Sequence, residues 1–157
     1  RFKLTIGDNV INLSGTATAV STKTNSEDVF VGFEDGNIVK YPEEITLEHK
    51  VGSSVTKIKV TGEKLIAGYK DGSLEVFDLN ENQSTSLEGH EKEIINIYAD
   101  DSQIITVSKD YTLKLWENNQ CKYTYYLDIY ATAINVYGDK LVIGDTLGNV
   151  RFFEFKN

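Results

Sequence analysis

The chain contains two histidines, one cysteine and several adjacent acid pairs, and any catalysis would have to be built from these. A nucleophilic enzyme needs a Ser or Cys held against a base. Cys121 follows the turn-forming stretch Asn118-Asn119-Gln120 and reads as an ordinary thiol. His49 stands beside Glu48 in a loop and reads as a solvated imidazole. His90 is a general base on one reading and a structural hydrogen-bonding residue on the other, and the structural role is the better fit. Glu34-Asp35, Glu43-Glu44 and Asp100-Asp101 are adjacent in sequence. Adjacent side chains on a strand point to opposite faces, and those in turns are solvated, so neither arrangement makes an acid–base pair. No run of alternating acids closes with the Glu of a calcium loop. One cysteine excludes an internal disulfide and a Cys-based zinc cluster. The glycines near Gly32 and Gly36 do not open a helix, so no phosphate cradle is implied. The expectation is a protein that is not an enzyme, with no cofactor and no metal site.

Composition sets the frame around these residues. At 157 residues the chain has room for one domain, or part of one, with a real core. Apolar residues make up 40% and charged residues 25%, which suits a globular fold rather than disorder. The net charge of −8 repels phosphate backbones, so nucleic acid is not an expected partner. No apolar run approaches the ~18 residues of a membrane helix, so no membrane span is expected. The chain opens on Arg1 rather than Met and has no signal-peptide layout, so the expectation is of a natural N-terminus further upstream. The sequons at Asn12 and Asn82 are weak signals, and the unpaired cysteine points to a reducing compartment, cytoplasmic or nuclear.

One proline and 12 glycines among short Val-, Ile-, Thr- and Tyr-rich segments indicate an all-β protein. Four segments align without gaps, and Gly36, Gly72, Tyr111 and Gly148 mark one shared position at a period near 40 residues. Each unit has an apolar run (Val29-Phe30-Val31, Leu65-Ile66-Ala67, Ile104-Ile105-Thr106, Leu141-Val142-Ile143), which predicts a strand buried on both faces. A tight turn follows, and then an alternating strand ending in Tyr41, Phe77, Trp116 or Phe153. A further strand precedes each run, and a more polar outer strand follows in the first three units. The units are 16–49, 53–88, 90–128 and 131–157, the last without its outer strand.

The third unit carries Leu87-Glu88-Gly89-His90, then Asp110, then Leu113-Lys114-Leu115-Trp116-Glu117. It resembles a WD-repeat of the β-propeller family, with Glu117 in place of the usual Asp. The resemblance implies four-stranded antiparallel blades, about four in this chain. It also implies a hydrogen-bonded tetrad of His90, Ser108, Asp110 and Trp116. The other units are degenerate, with Val51 and Leu127 at the histidine position and Leu147 at the turn acid. For function, the resemblance implies a protein-interaction scaffold or adaptor that docks peptides or proteins on its loop rim. The rim residues would be Phe33, Glu34, Tyr69, Lys70, Lys92, Lys109 (with Tyr111), Tyr130 and Asp145. Phe33 and Tyr69 have an alternative reading as packing between blades.

Four blades are few for this family, and a terminal blade needs a partner to cover its face. One expectation is that further blades, from a second copy or another chain, complete the ring. The other is a small ring in which the segment Phe2–Ile6, within residues 1–6, acts as the strand of a neighbouring or closing blade. The first is favoured. A purely structural role in a larger propeller or coat is the alternative function, and a sugar-binding or enzymatic propeller a remote one.

Overall fold

The computed structural model describes residues 3–154; Phe2 of the expected leading strand and residues 155–157 of the fourth unit lie outside them. All the regular structure described is β-strand, in antiparallel sheets. Strands β1 (Lys3–Ile6) and β2 (Asn9–Asn12) form a hairpin. Blade one is β3 (Ala17–Thr22), β4 (Val29–Phe33), β5 (Ile38–Tyr41) and β6 (Ile45–Thr46). Blade two is β7 (Val55–Thr61), β8 (Lys64–Tyr69), β9 (Leu74–Asp78) and β10 (Gln83–Leu87). Blade three is β11 (Ile94–Ala99), β12 (Ile104–Ser108), β13 (Thr112–Glu117) and β14 (Gln120–Tyr126). Blade four is the three-stranded sheet β15 (Ala131–Tyr137), β16 (Lys140–Asp145) and β17 (Val150–Glu154).

The inner strands pack in sequence, β3 against β7, β7 against β11 and β11 against β15. The sheets therefore stand side by side, with an apolar core between each pair. The apolar runs supply those cores because alternate residues of one strand face opposite neighbours. Phe30 faces blade two, Ile66 faces blade three and Ile105 faces blade four, all buried. Burying each such side chain contributes about 1.5–3 kcal/mol. At two of the three interfaces a glycine admits a branched side chain from the next blade. A Cβ on Gly32 would lie 2.5 Å from Val55, and one on Gly68 would lie 2.6 Å from Ile94. The third interface reverses the sizes, with Val107 in the glycine position and Ala131 on the facing strand, both buried in one cluster.

A register shift recurs in every inner strand, after Ala17, Val55, Ile94 and Ala131. At two of these bulges a threonine donates to the carbonyl of the glycine opposite, Thr18 to Gly32 (3.1 Å) and Thr132 to Gly144 (3.4 Å); at a third, the Thr56 hydroxyl lies between the carbonyls of Gly68 (3.1 Å) and of Ile94 in the next blade (2.7 Å).

The leading segment departs from the closing-strand expectation. Lys3–Ile6 pairs with Asn9–Asn12 and does not join β17. Gly7, at φ +58°, lets the chain reverse between the two strands. Leu4, Ile6, Ile11 and Leu13 then pack on Val31, Phe33 and Tyr41 of blade one. The hairpin leads into β3 as β6 leads into β7, so it stands as the outer half of a sheet preceding blade one.

Candidate functional site

Blade three contains a buried polar chain. The Trp116 indole N–H donates to Thr106 Oγ1 (2.9 Å), and the Thr106 hydroxyl donates to His90 Nε2 (2.6 Å). His90 Nδ1 donates to Asp110 Oδ2 (3.0 Å). Asp110, an acceptor only, also takes the Glu91 amide (3.0 Å), the Thr112 amide (2.9 Å) and the Thr112 hydroxyl (2.6 Å). Burial lowers the His90 pKa below its ordinary value, against the opposing pull of Asp110. Burial pushes the Asp110 carboxyl up, but hydrogen bonds from Thr112, Glu91 and His90 outweigh it and hold the group below the usual range. These hydrogen bonds fix the imidazole and the indole in place.

This geometry corrects the expected tetrad. Thr106, not Ser108, joins His90 to Trp116. Ser108 is buried but donates to the Lys92 carbonyl (2.7 Å) and accepts from the Asp110 amide (3.1 Å), so it ties down the turn. The other blades replace the chain with different chemistry. In blade one His49 is half-buried rather than solvated, with Nδ1 donating to the Val51 carbonyl (2.7 Å) and Nε2 3.0 Å from the Asn37 side-chain oxygen. In blade two the fully buried Glu75 accepts from the Lys50 amide (2.6 Å), the Tyr69 hydroxyl (3.3 Å) and the Ser84 hydroxyl (3.4 Å). In blade four Asp145 accepts from the Leu147 and Asn149 amides (2.9 and 3.0 Å).

Three residues expected on the rim are internal. Phe33, Tyr69 and Asp145 share one position, the last residue of the second strand, and all are buried. Strand parity explains this, since each lies two residues beyond a core residue (Val31, Ala67, Ile143) and so points to the same face. Phe33 packs under the leading hairpin, and Tyr69 fills the core between blades one and two. Burial, with Glu75 beside it, pushes the Tyr69 phenol far up. Burial likewise pushes Asp145 up, but amide bonds and Arg151 hold it below its ordinary value. Asp145 is thus spent within its own turn.

The remaining rim residues lie where loops and turns meet. The turn after each second strand is bonded to the loop leading into the same blade: Glu34 amide to Thr16, Lys70 to Ser54, Lys109 to Glu93 and Thr146 to Tyr130. Glu34, Lys70, Lys92 and Lys109 are exposed. Lys109 Nζ forms an ion pair with Glu93. Tyr130, half-buried, stacks on Tyr111 with ring centroids 4.6 Å apart and planes 18° from parallel. The neighbouring Tyr130 raises the Tyr111 phenol above its usual range. Tyr111 is 43% exposed and has φ +65°. The same turn position is glycine in the other blades, at φ +92°, +93° and +82°. Sequence alignment marks Tyr111 as the odd residue of the four, and the strain it carries is visible only in the backbone.

Among the described residues no three His, Cys, Asp or Glu side chains converge as a metal site, and no helix is long and apolar enough to cross a membrane.

These sheets define the fold of a WD-repeat β-propeller. The chain superposes on the computationally designed Ika4 protein with a TM-score of 0.80 at 23% identity, covering 92% of this chain and 94% of that one. It also superposes on the WD40 β-propeller domain of Doa1, with a TM-score of 0.79 at 18% identity, covering 94% of this chain and 55% of that one. A chain of the mitotic checkpoint complex gives a TM-score of 0.77 at 17% identity, with 94% and 52% covered. This chain therefore spans about half the length of those two neighbours. No protein-family model and no curated protein sequence matches it.

Proposed function

We propose that the chain is a non-catalytic protein-interaction scaffold whose peptide or protein partner docks on the loop rim at Tyr111 and Tyr130, flanked by Lys92 and Lys109. The observation that carries this reading is Tyr111 itself. A non-glycine residue in the left-handed region costs about 1–2 kcal/mol, and this one is bulky and exposed. Strain of this kind collects at binding sites. Stacked phenols present a rigid, broad surface with polar tips, which suits an interface anchor. The exposed thiol of Cys121 fits a cytoplasmic or nuclear setting.

The test is capture of binding proteins by the wild-type chain, by Tyr111→Gly and by the double variant Lys92→Glu, Lys109→Glu. A partner held by the wild type and lost from both folded variants supports the reading. A partner held equally by all three refutes it. A second reading, a structural role within a larger propeller, is favoured by the uncovered face of blade four.

A further inference from the structure

At the end of the sheets opposite the rim, the turns of blades two and three enclose a cleft between them. Its volume is about 320 Å³, within the ~300–1,000 Å³ of ligand sites. Ile66, Val76 and Trp116, all buried, form its floor, and the exposed Lys64, Asp101 and Asn119 stand around its mouth. A second hollow of about 220 Å³ shares Lys64, Val76 and Asn119 with the first. It carries the depression along β9 and β10 as far as Glu81. The two make one elongated groove on the seam, a shape that suits an extended chain.

Charge decides what the groove takes. Asp78, Glu81, Asp100 and Asp101 line it, against a single lining cation, Lys64. Lys64 is the cross-strand partner of Asp78, so those two charges offset one another. Asp100 is engaged in its own turn, accepting from the Ser102 amide (2.9 Å), the Gln103 amide (3.0 Å) and the Tyr98 hydroxyl (3.0 Å). Among the described residues neither Asp101 nor Glu81 has an ion-pair partner. Asp101 reaches across the seam to blade two, where its Oδ1 lies 3.9 Å from the Cβ position of Gly62, a residue with no side chain to answer it. The seam between blades one and two is built differently. There the same β7–β8 turn meets the β3–β4 loop through an ion pair, Lys23 Nζ to Glu63 Oε1 at 2.6 Å. A cation bridges blades one and two, and the seam between blades two and three has the acid without the cation.

We propose that this groove seats a basic, extended segment of a partner protein, with a Lys or Arg side chain entering the cleft beside Asp101. The apolar stem of such a side chain covers Ile66, Val76 and Trp116, while its charged head meets the carboxylate. A second basic residue along the segment meets Glu81. The exposed amides of Asn118 and Asn119 offer donors and acceptors to the segment's backbone. The chain's net charge of −8 favours the approach of a basic partner. The groove lies at the far end of the sheets from Tyr111, so it does not depend on the rim reading.

The test titrates the full chain with the blocked peptide acetyl-Gly-Arg-Leu-Arg-Gly-amide and follows the emission of Trp116, the sole tryptophan and part of the cleft floor. The expected result is a saturable change that the same peptide with Glu in place of both Arg does not produce. Asp101→Asn should weaken binding at least about tenfold, through loss of a charge-assisted contact. Asp101 is exposed, so this variant should unfold in urea with the wild type. Lys64→Gln removes the lining cation and should tighten binding. Glu34→Gln, on the rim, should leave it unchanged. The proposal is overturned by no saturable change, by equal affinity for Asp101→Asn, or by weaker binding to Lys64→Gln. Arginine amide binding as tightly as the peptide also overturns it, since the cleft would then be a site for a small cation.

Discussion

Replacing Gly68 with alanine tests the packing that joins blades two and three. The new Cβ would lie 2.6 Å from Ile94 Cγ2 and 2.7 Å from Ile94 Cβ. A relaxed carbon–carbon contact is ~3.5–4.0 Å, so strands β8 and β11 must part by about 1 Å. Overpacking of that order costs roughly 1–3 kcal/mol. Loss of glycine's freedom in the unfolded chain returns about 0.4–1 kcal/mol. The net destabilisation is about 1–2 kcal/mol, a fall in Tm of roughly 2–8 °C for a chain of this size. The assay is urea unfolding followed by fluorescence of Trp116, the sole tryptophan. Gly144→Ala is the internal control. Its Cβ meets one atom at ordinary contact distance, so stability should hold or rise slightly. Adding Ile94→Ala to Gly68→Ala should cost less than the two single changes summed. The packing argument fails if Gly68→Ala unfolds with the wild type, or if Gly144→Ala is equally damaging.

Three further outcomes follow from the site. Thr106→Val should cost about 1–3 kcal/mol by leaving the Trp116 N–H and His90 Nε2 unpartnered, with a shift in Trp116 emission, whereas Thr106→Ser keeps the hydroxyl and should cost less. Acid should weaken the fold through His90. Its folded pKa lies below the ordinary 6.5, so the unfolded chain binds more protons in that window. Stability should be level above pH ~6.5 and decline below it, and His90→Gln should flatten that part of a denaturation-versus-pH series. Asp110, held below 3.8, extends the loss at lower pH. Tyr111→Gly should leave stability unchanged, or raise it by up to about 1 kcal/mol, while partner capture disappears; a clear loss of thermal stability would contradict the strain argument.

The repeat was legible because turn chemistry repeats. Gly36, Gly72 and Gly148 sit at positive φ where the alignment put them, between a doubly buried strand and an alternating one. The leading hairpin was not legible as a pair, because each of its strands is short and the first alone looked like an outer strand. At the site, Thr106 and Ser108 are two residues apart and face the same side of β12, so spacing could not choose between them. His90, in the loop before β11, decided it by reaching Thr106. The hint was a threonine in a run that is otherwise apolar. Phe33, Tyr69 and Asp145 were misplaced on the rim because they border the turn, although parity with Val31, Ala67 and Ile143 already assigned them inward. The networks of His49 and Glu75 had no motif to announce them, since His49 bonds the nearby Val51 carbonyl and the Asn37 side chain, and Glu75 the amide of Lys50, 25 residues away.

Tandem near-copies carry a particular hazard during folding, since a strand from one unit can pair with its look-alike in the next and trap the chain in a swapped arrangement. Asp35, Asp71 and Asp110 hold the turns of the first three units alike, but each unit adds a different polar lock beside the turn: an imidazole on a carbonyl, a carboxylate on a distant amide, an indole–hydroxyl–imidazole relay, and an aspartate coiled on its own loop. A strand exchanged between units would meet the wrong lock and leave polar atoms stranded. The decay of the motif from unit to unit thus works as a set of addresses, and restoring one consensus lock in every unit would erase them.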